Sequence, residues 1–191
     1  MFVPRALALI LLLTLIQESS AQQRYHAVVA GLLDFEGEQT GGMPRDWAGS
    51  PPSTIFTDNK IVHSGKWALR LERHAGAPEP FSSIGTALPI DFSGQQVQLR
   101  GFLKSENVDG SFGLWMRQDI NGSPVEFDNL SSRRLRGTTD WTEYSITLPL
   151  HAGARLIFGV LLSGRGKVWA DDLQLLVDGQ PIALVPINGS R

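Results

Sequence analysis

The 191-residue chain contains no cysteine. Disulfides, thiolate metal sites and thiol nucleophiles are thereby excluded. It also lacks an excess of either charge: 17 Lys and Arg stand against 19 Asp and Glu, a formal net charge of −2. That balance offers no basic stripe of the kind a nucleic-acid partner needs. No segment sustains a helical period, so helix should be scarce. The common catalytic signatures are missing too: there is no G-x-S-x-G elbow, Walker A loop, H-E-x-x-H helix or G-x-G-x-x-G turn. The four histidines, His26, His63, His74 and His151, are scattered without metal-ligand spacing. A lone histidine in a loop is more often solvated than catalytic.

What is present begins at the N-terminus, MFVPRALALILLLTLIQESSAQQ. Arg5 precedes an apolar run, Ala6–Ile16, and the small-residue stretch Ser19-Ser20-Ala21 comes after it. That order is the order of a secretory signal peptide. The run is about 11 residues, too short to span a bilayer as a retained anchor. Cleavage is expected after Ala21, leaving one domain over residues 22–191 in a secreted or periplasmic location, with no membrane contact after cleavage. A domain of about 170 residues buries enough surface to fold without disulfides.

The rest of the chain alternates short apolar runs with Gly, Pro, Asn, Asp and Ser. The clearest runs are Trp67–Leu71, Gln96–Lys104, Ser111–Gln118, Glu143–Leu150, Arg155–Leu162 and Val168–Val177. Weaker ones are Gly31–Phe35, Ser53–Thr57, Ser82–Leu88 and Pro124–Asp128. Many short strands with turn signals between them predict an all-β sandwich or barrel, its core over about residues 32–177. Period-two alternation sets the faces. In QVQLRGFLK, Val97, Leu99, Gly101 and Leu103 share one face, and Gln98, Arg100, Phe102 and Lys104 the other. In GLWMRQD, Leu114, Met116 and Gln118 share one face and Trp115, Arg117 and Asp119 the other; if Leu114 and Met116 fill the core, Trp115 and Arg117 face outward together. In VWADDLQLLV, Trp169, Asp171, Leu173, Leu175 and Val177 align, which places the Asp171 carboxylate inward. Trp47, Trp67 and Trp169 are expected in packing, and Arg133–Arg136 in a solvated turn.

An inward carboxylate needs a partner. One solution is a hard cation such as calcium, which takes oxygen ligands. Glu36 in LLDFEGE, the turn His63-Ser64-Gly65-Lys66 through its carbonyls, and Asp171 or its neighbour Asp172 could meet around such an ion. The other solution is metal-free: Asp171 accepts backbone N–H groups, or pairs with Arg70 or Lys66. A paired-carboxylate hydrolase could draw on Glu106, Asp109, Asp119, Glu126, Asp128 and Glu143, but carboxylates at strand ends are common for solvation alone. Three Asn-x-Ser/Thr sites, at Asn121, Asn129 and Asn188, matter only in a host that glycosylates them.

Three fragments, F-E-x-G near the start, H-S-G-K before a strand and V-x-x-D-D on the last strand, resemble those of the jelly-roll carbohydrate-binding modules attached to secreted glycosidases, the galactose-binding-like superfamily. The stretch from GLWMRQD at Gly113 to DDLQL at Leu175 is similar to a narrower group, the jelly-roll domain that precedes the catalytic domain of some secreted serine peptidases of the tail-processing type. The resemblance covers about Leu32 to Leu176. It implies a two-sheet antiparallel jelly roll and a structural calcium held by Glu36, the backbone of Ser64–Lys66 and Asp171 or Asp172. It also implies that Trp141 packs under the turn. No peptidase domain is expected after Arg191, so no peptidase activity is expected to carry over.

Sugar recognition uses aromatic stacking and polar side chains. Trp115 and Arg117 on one strand, Arg100 on another, and Phe127 with Asn129 in EFDNL are the residues expected to line a binding face. The opposing reading pairs Arg100 and Arg117 with Asp128 or Glu143. The expected protein is a monomeric, non-catalytic carbohydrate-binding module with a structural calcium and a glycan as partner. The alternative is a protein-interaction domain docking on an envelope or secreted enzyme.

Overall fold

The structure, a computed structural model, describes residues 30–37, 39–40, 43–77, 79–186 and 188. The expected leader, its cleavage point and His26 lie outside the described residues. Among the described residues thirteen strands run in order: β1 (Gln39–Thr40), β2 (Met43–Pro44), β3 (Ala48–Ser50), β4 (Ile55–Asp58), β5 (Ala68–Arg73), β6 (Phe81–Pro89), β7 (Gln96–Val108), β8 (Ser111–Ile120), β9 (Ser123–Asp128), β10 (Gly137–Pro149), β11 (Arg155–Ser163), β12 (Gly166–Val177) and β13 (Gln180–Pro181). Helix is limited, among the described residues, to Ala30 and to single 3₁₀ turns such as Pro52–Thr54. None is long and apolar enough to cross a membrane.

β1 and β2 pair as a separate two-stranded ribbon, and the other eleven strands form two antiparallel sheets packed as a jelly-roll sandwich. One has the order β10-β7-β12-β5-β4, with β13 added to β12, and the other β3-β6-β11-β8-β9. The alternation explains why. On β7, Val97, Leu99 and Leu103 are fully buried. On β8, Leu114 and Met116 face them across the core, and on β11, Leu156, Phe158, Val160 and Leu162 complete the inner layer. Burying one such side chain contributes about 1.5–3 kcal/mol, so each strand is fixed to its face by several of them.

Three expectations change. Gly31–Phe35 is not a strand: Phe35 adopts φ +61°, and the segment is tied to the sheet through Leu173 N–H donating to Leu33 O at 3.1 Å. Its Leu33 and Phe35 are nevertheless core residues. The core also extends past residue 177, because Ile182 and Val185 close its end. Third, Asp171 points away from the core. A bulge between Asp171 and Gln174 shifts the register against β7, with Asp172 at φ +50°. One extra residue reverses the parity of the positions after it. Val168 and Ala170 before the bulge and Leu173, Leu175 and Val177 after it are all inward. Trp169 and Asp171 pair in register with the outward Lys104 and Phe102. Both are buried all the same, Asp171 completely.

Candidate functional site

Two places collect the residues singled out from the sequence. The first is the outer face of the β3-β6-β11-β8-β9 sheet. Several of its outward positions in the middle strands are small: Ser83, Gly85 and Ala87 on β6, and Gly159 on β11. Gly85, Gly159 and Trp115 lie in one cross-strand row. The benzo edge of Trp115 comes down on Gly85, where a Cβ would stand 2.7 Å from the ring carbon Cζ2. The two glycines thus leave the space that the indole fills across the sheet.

Trp115 divides the face into two joined hollows. One, of about 470 Å³, is lined by Phe81, Ser83, Trp115, Arg117, Phe127 and Asn129 among others. The second, of about 380 Å³, includes Asp46, Gly85, Trp115, Arg155 and Ile157. Phe81 and Phe127 are 51% and 55% exposed, unusually open for their size. Arg117 sits opposite Phe127 in register and donates from Nη2 to Asp119 Oδ2 at 2.9 Å. Asn129 turns its Oδ1 to the Ser131 N–H.

Four of the five expected ligand residues, Trp115, Arg117, Phe127 and Asn129, therefore meet. Arg100 does not. It lies on β7, in the opposite sheet, where it donates to Gln174 Oε1 at 2.7 Å and has Glu143 at 3.8 Å. The two-residue link between β7 and β8 passes from one sheet to the other, so the two strands do not share a face. Phe81, Gly85, Gly159 and Arg155 were not singled out from sequence. The signal for the glycines was their place inside strands, where glycine marks a close approach.

The second place is the clasp under which Asp171 is buried. The segment from Asp58 to Trp67 folds over the outer side of β12. His63 and Ser64 donate their backbone N–H groups to Asp171 Oδ2 at 2.7 and 3.1 Å, and Asp172 N–H caps Oδ1 at 2.8 Å. Lys66 and Trp67 N–H donate to Glu36 Oε1 at 2.7 and 3.0 Å. Asp172 takes the Ser64 hydroxyl and has His63 Nδ1 at 2.6 Å. The His63 ring stacks on Phe102, 3.7 Å between centroids, with Trp141 edge-on at 5.6 Å. Gly65, at φ +61°, leaves room for the Glu36 carboxylate, which would stand 2.1 Å from a Cβ there.

The turn thus presents backbone N–H groups to Glu36 and Asp171, the N–H partnering weighed from sequence for Asp171. Among the described residues no three Asp, Glu, His or Cys side chains gather tightly enough to hold a metal. Glu36, Asp171 and Asp172 are oxygen donors of the right chemistry for calcium, but an ion here would draw much of its shell of about six to eight oxygens from backbone carbonyls and water.

Burial pushes the Asp171 carboxyl up, against the N–H groups of Ser64, His63 and Asp172, and the Asp172 charge adds to the rise. Asp58 goes the other way. Burial would raise it, but the Trp169 indole N–H, the N–H groups of Lys60 and Ile61 and the Arg70 charge together hold it below its ordinary value of 3.8. The stability that Asp58 contributes is present above 3.8 and is lost as pH falls through its lower folded value. Asp171 has the opposite sign: its contribution is full below 3.8 and is lost as pH rises through its raised folded value. Asp58→Asn is expected to flatten the acid-side loss of stability in melts between about pH 2 and 5. An unchanged slope would contradict this.

The carboxylates weighed for hydrolysis are spoken for one by one. Glu106 meets Lys167, Asp109 meets Arg165, Asp119 meets Arg117, Glu126 meets His151 and Glu143 meets Arg100. Asp128 accepts the Leu130 N–H.

No family model matches the chain. It is 42% identical over 118 residues to an uncharacterized HTH-type transcriptional regulator of Bacillus subtilis, an alignment covering 60% of this chain and 40% of the regulator. It is 26% identical over 145 residues to expansin-like protein 2 of Dictyostelium discoideum, covering 71% of this chain and 31% of that protein. The chain therefore spans well under half the length of these relatives. Among solved structures, TmCBM61 in complex with β-1,4-galactotriose superposes with a TM-score of 0.50 at 14% identity, over 71% of this chain and 91% of that one. The CBM22-1 xylan-binding domain of Paenibacillus barcinonensis Xyn10C gives 0.50 at 16%, over 76% and 91%. The MgGH51 α-L-arabinofuranosidase gives 0.55 at 12%, over 75% of this chain but 25% of that one. At these identities the likeness establishes the fold that this chain shares with carbohydrate-binding modules.

Proposed function

We propose that this protein is a secreted, non-catalytic carbohydrate-binding module, a monomer that holds a glycan in the outer-face trough around Trp115. One observation carries the reading: a tryptophan lies over two cross-strand glycines between two joined hollows, with exposed Phe81 and Phe127 at the rim. Apolar sugar faces stack on such rings, and Arg117 and Asn129 supply polar contacts beside them. Secretion is supported by the order of Arg5, the apolar run and Ser19-Ser20-Ala21. Calcium at the clasp is part of the proposal: Glu36, Asp171 and Asp172 offer carboxylate oxygens beside one turn, and carbonyls and water would complete the shell. The fold shared with a galactotriose complex and a xylan-binding domain makes galactan and xylan fragments the first ligands to try.

In calorimetric titration the wild type is expected to bind at least one such oligosaccharide. Trp115→Ala should weaken that binding about thirtyfold or more, as loss of a central aromatic anchor does. Undiminished binding by the variant, or none by the wild type across neutral and acidic glycans, would overturn the reading. A protein partner, an envelope or secreted enzyme, is the second reading. It is favoured by Val125 and Phe127, both open on the edge strand β9, and it gains weight if no glycan binds.

A further inference from the structure

Three polar atoms on the outward side of β8 are buried without a hydrogen-bond partner: Trp115 Nε1, Arg117 Nε and Asp119 Oδ1. They belong to alternate residues of one strand, and Trp115 and Arg117 line the trough. Among the described residues the one other such atom is Arg70 Nε, which has the Asp58 carboxylate at 3.4 Å. Buried polar groups are nearly always bonded, so each exception asks for an explanation. Two of the three belong to residues lining the hollows, and Asp119 follows on the same strand, opposite Arg155 of the second hollow; together they point to a ligand that completes them.

Their chemistry narrows that ligand. Two are donors and one is an acceptor. A hydroxyl accepts from a donor and donates to an acceptor at once, whereas a carboxylate or sulfate can only accept. The acceptor is an oxygen of an acidic side chain, a poor neighbour for an anion. The charges around the trough are otherwise balanced, Arg117 and Arg155 against Asp46 and Asp119. We propose that Arg117 and Asp119 set the ligand class of the trough: they select a neutral, hydroxyl-bearing glycan over an acidic one. Neighbouring sugar hydroxyls accept from Arg117 Nε and Trp115 Nε1 and donate to Asp119 Oδ1. This rests on the reading of the trough as a glycan site. The Arg117 side chain is 41% exposed and that of Asp119 12%, so the arginine is the part that turns outward when a sugar enters.

The test titrates the purified chain with xylotriose, galactotriose and cellotriose, and with trigalacturonate as the acidic probe. The wild type is expected to bind a neutral trisaccharide at least about tenfold more tightly than trigalacturonate. Asp119→Asn keeps an oxygen for Arg117 Nη2 and should fold normally, with its melting temperature little changed. It is expected to lose about tenfold on the neutral ligand and to close the gap to trigalacturonate. Equal or tighter binding of trigalacturonate by the wild type, or an Asp119→Asn protein with unchanged neutral affinity, overturns the inference. If binding then still depends on Trp115, the glycan trough itself stands. If the wild type binds none of the four, both readings fall.

Discussion

Asp171→Ala is expected to cost about 3–5 kcal/mol of stability, because truncating a buried hydrogen-bonded carboxylate strands every group that faced it. Three backbone N–H groups, from His63, Ser64 and Asp172, lose their acceptor at once. Two of them hold the turn that also binds Glu36, so the loss spreads to the N-terminal segment that closes the core with Leu33 and Phe35. Asp171→Asn keeps one acceptor oxygen and sheds a charge that burial disfavours, and should cost clearly less than alanine. Urea unfolding of the three proteins measures this, and equal midpoints for wild type and alanine would refute it. The same samples test calcium. A cation that binds only the folded clasp raises the melting temperature by mass action. The wild type is therefore expected to melt higher in calcium than in chelator, and Asp171→Ala to show no difference. A wild type indifferent to calcium ends the calcium proposal and leaves the hydrogen-bond prediction standing.

The strands of this sandwich are legible in the chain because their apolar positions alternate without interruption, as in Val97, Leu99 and Leu103. The trough was legible in part for the same reason: once Leu114 and Met116 are inward, Trp115 and Arg117 must be outward and adjacent. Alternation fails where the backbone adds a residue. The Asp171-Asp172 pair carried its own warning, since Asp is a poor strand former and among the residues that tolerate a left-handed backbone. The bulge sits there, at φ +50° for Asp172, and it sends Asp171 to the face opposite Leu173. Arg100 was misplaced for another reason. A two-residue link between strands ordinarily makes a hairpin in one sheet, whereas Asp109-Gly110 carries the chain across to the other. Nothing local in the residues distinguishes these cases; the choice is made by which partners the later strands β11 and β12 provide.

Gly159→Ala is the substitution expected to damage fold and trough together. Gly159 is not a turn residue, and its need is for space. A Cβ there would stand 1.9 Å from Ile84 O and 2.7 Å from Gly85 Cα, and both belong to the paired backbone of β6, which cannot rotate away as a side chain would. β6 and β11 must separate, breaking the ladder that runs from Arg155↔Pro89 to Ser163↔Phe81. Overpacking of this kind typically costs about 1–3 kcal/mol and sometimes more; a clash with backbone belongs at the upper end. Gly153→Ala is the control. Its φ of +75° makes alanine strained, but nothing lies within 4 Å, so it should cost about 1–2 kcal/mol and leave the trough intact. Near-ultraviolet circular dichroism separates the two, because Trp115 rests on the Gly85–Gly159 row and loses its fixed seat only in Gly159→Ala. A Gly159→Ala protein as stable as the wild type, with its tryptophan signal unchanged, would mean that the sheet yields at this row, and that the space under Trp115 is not what places the ring.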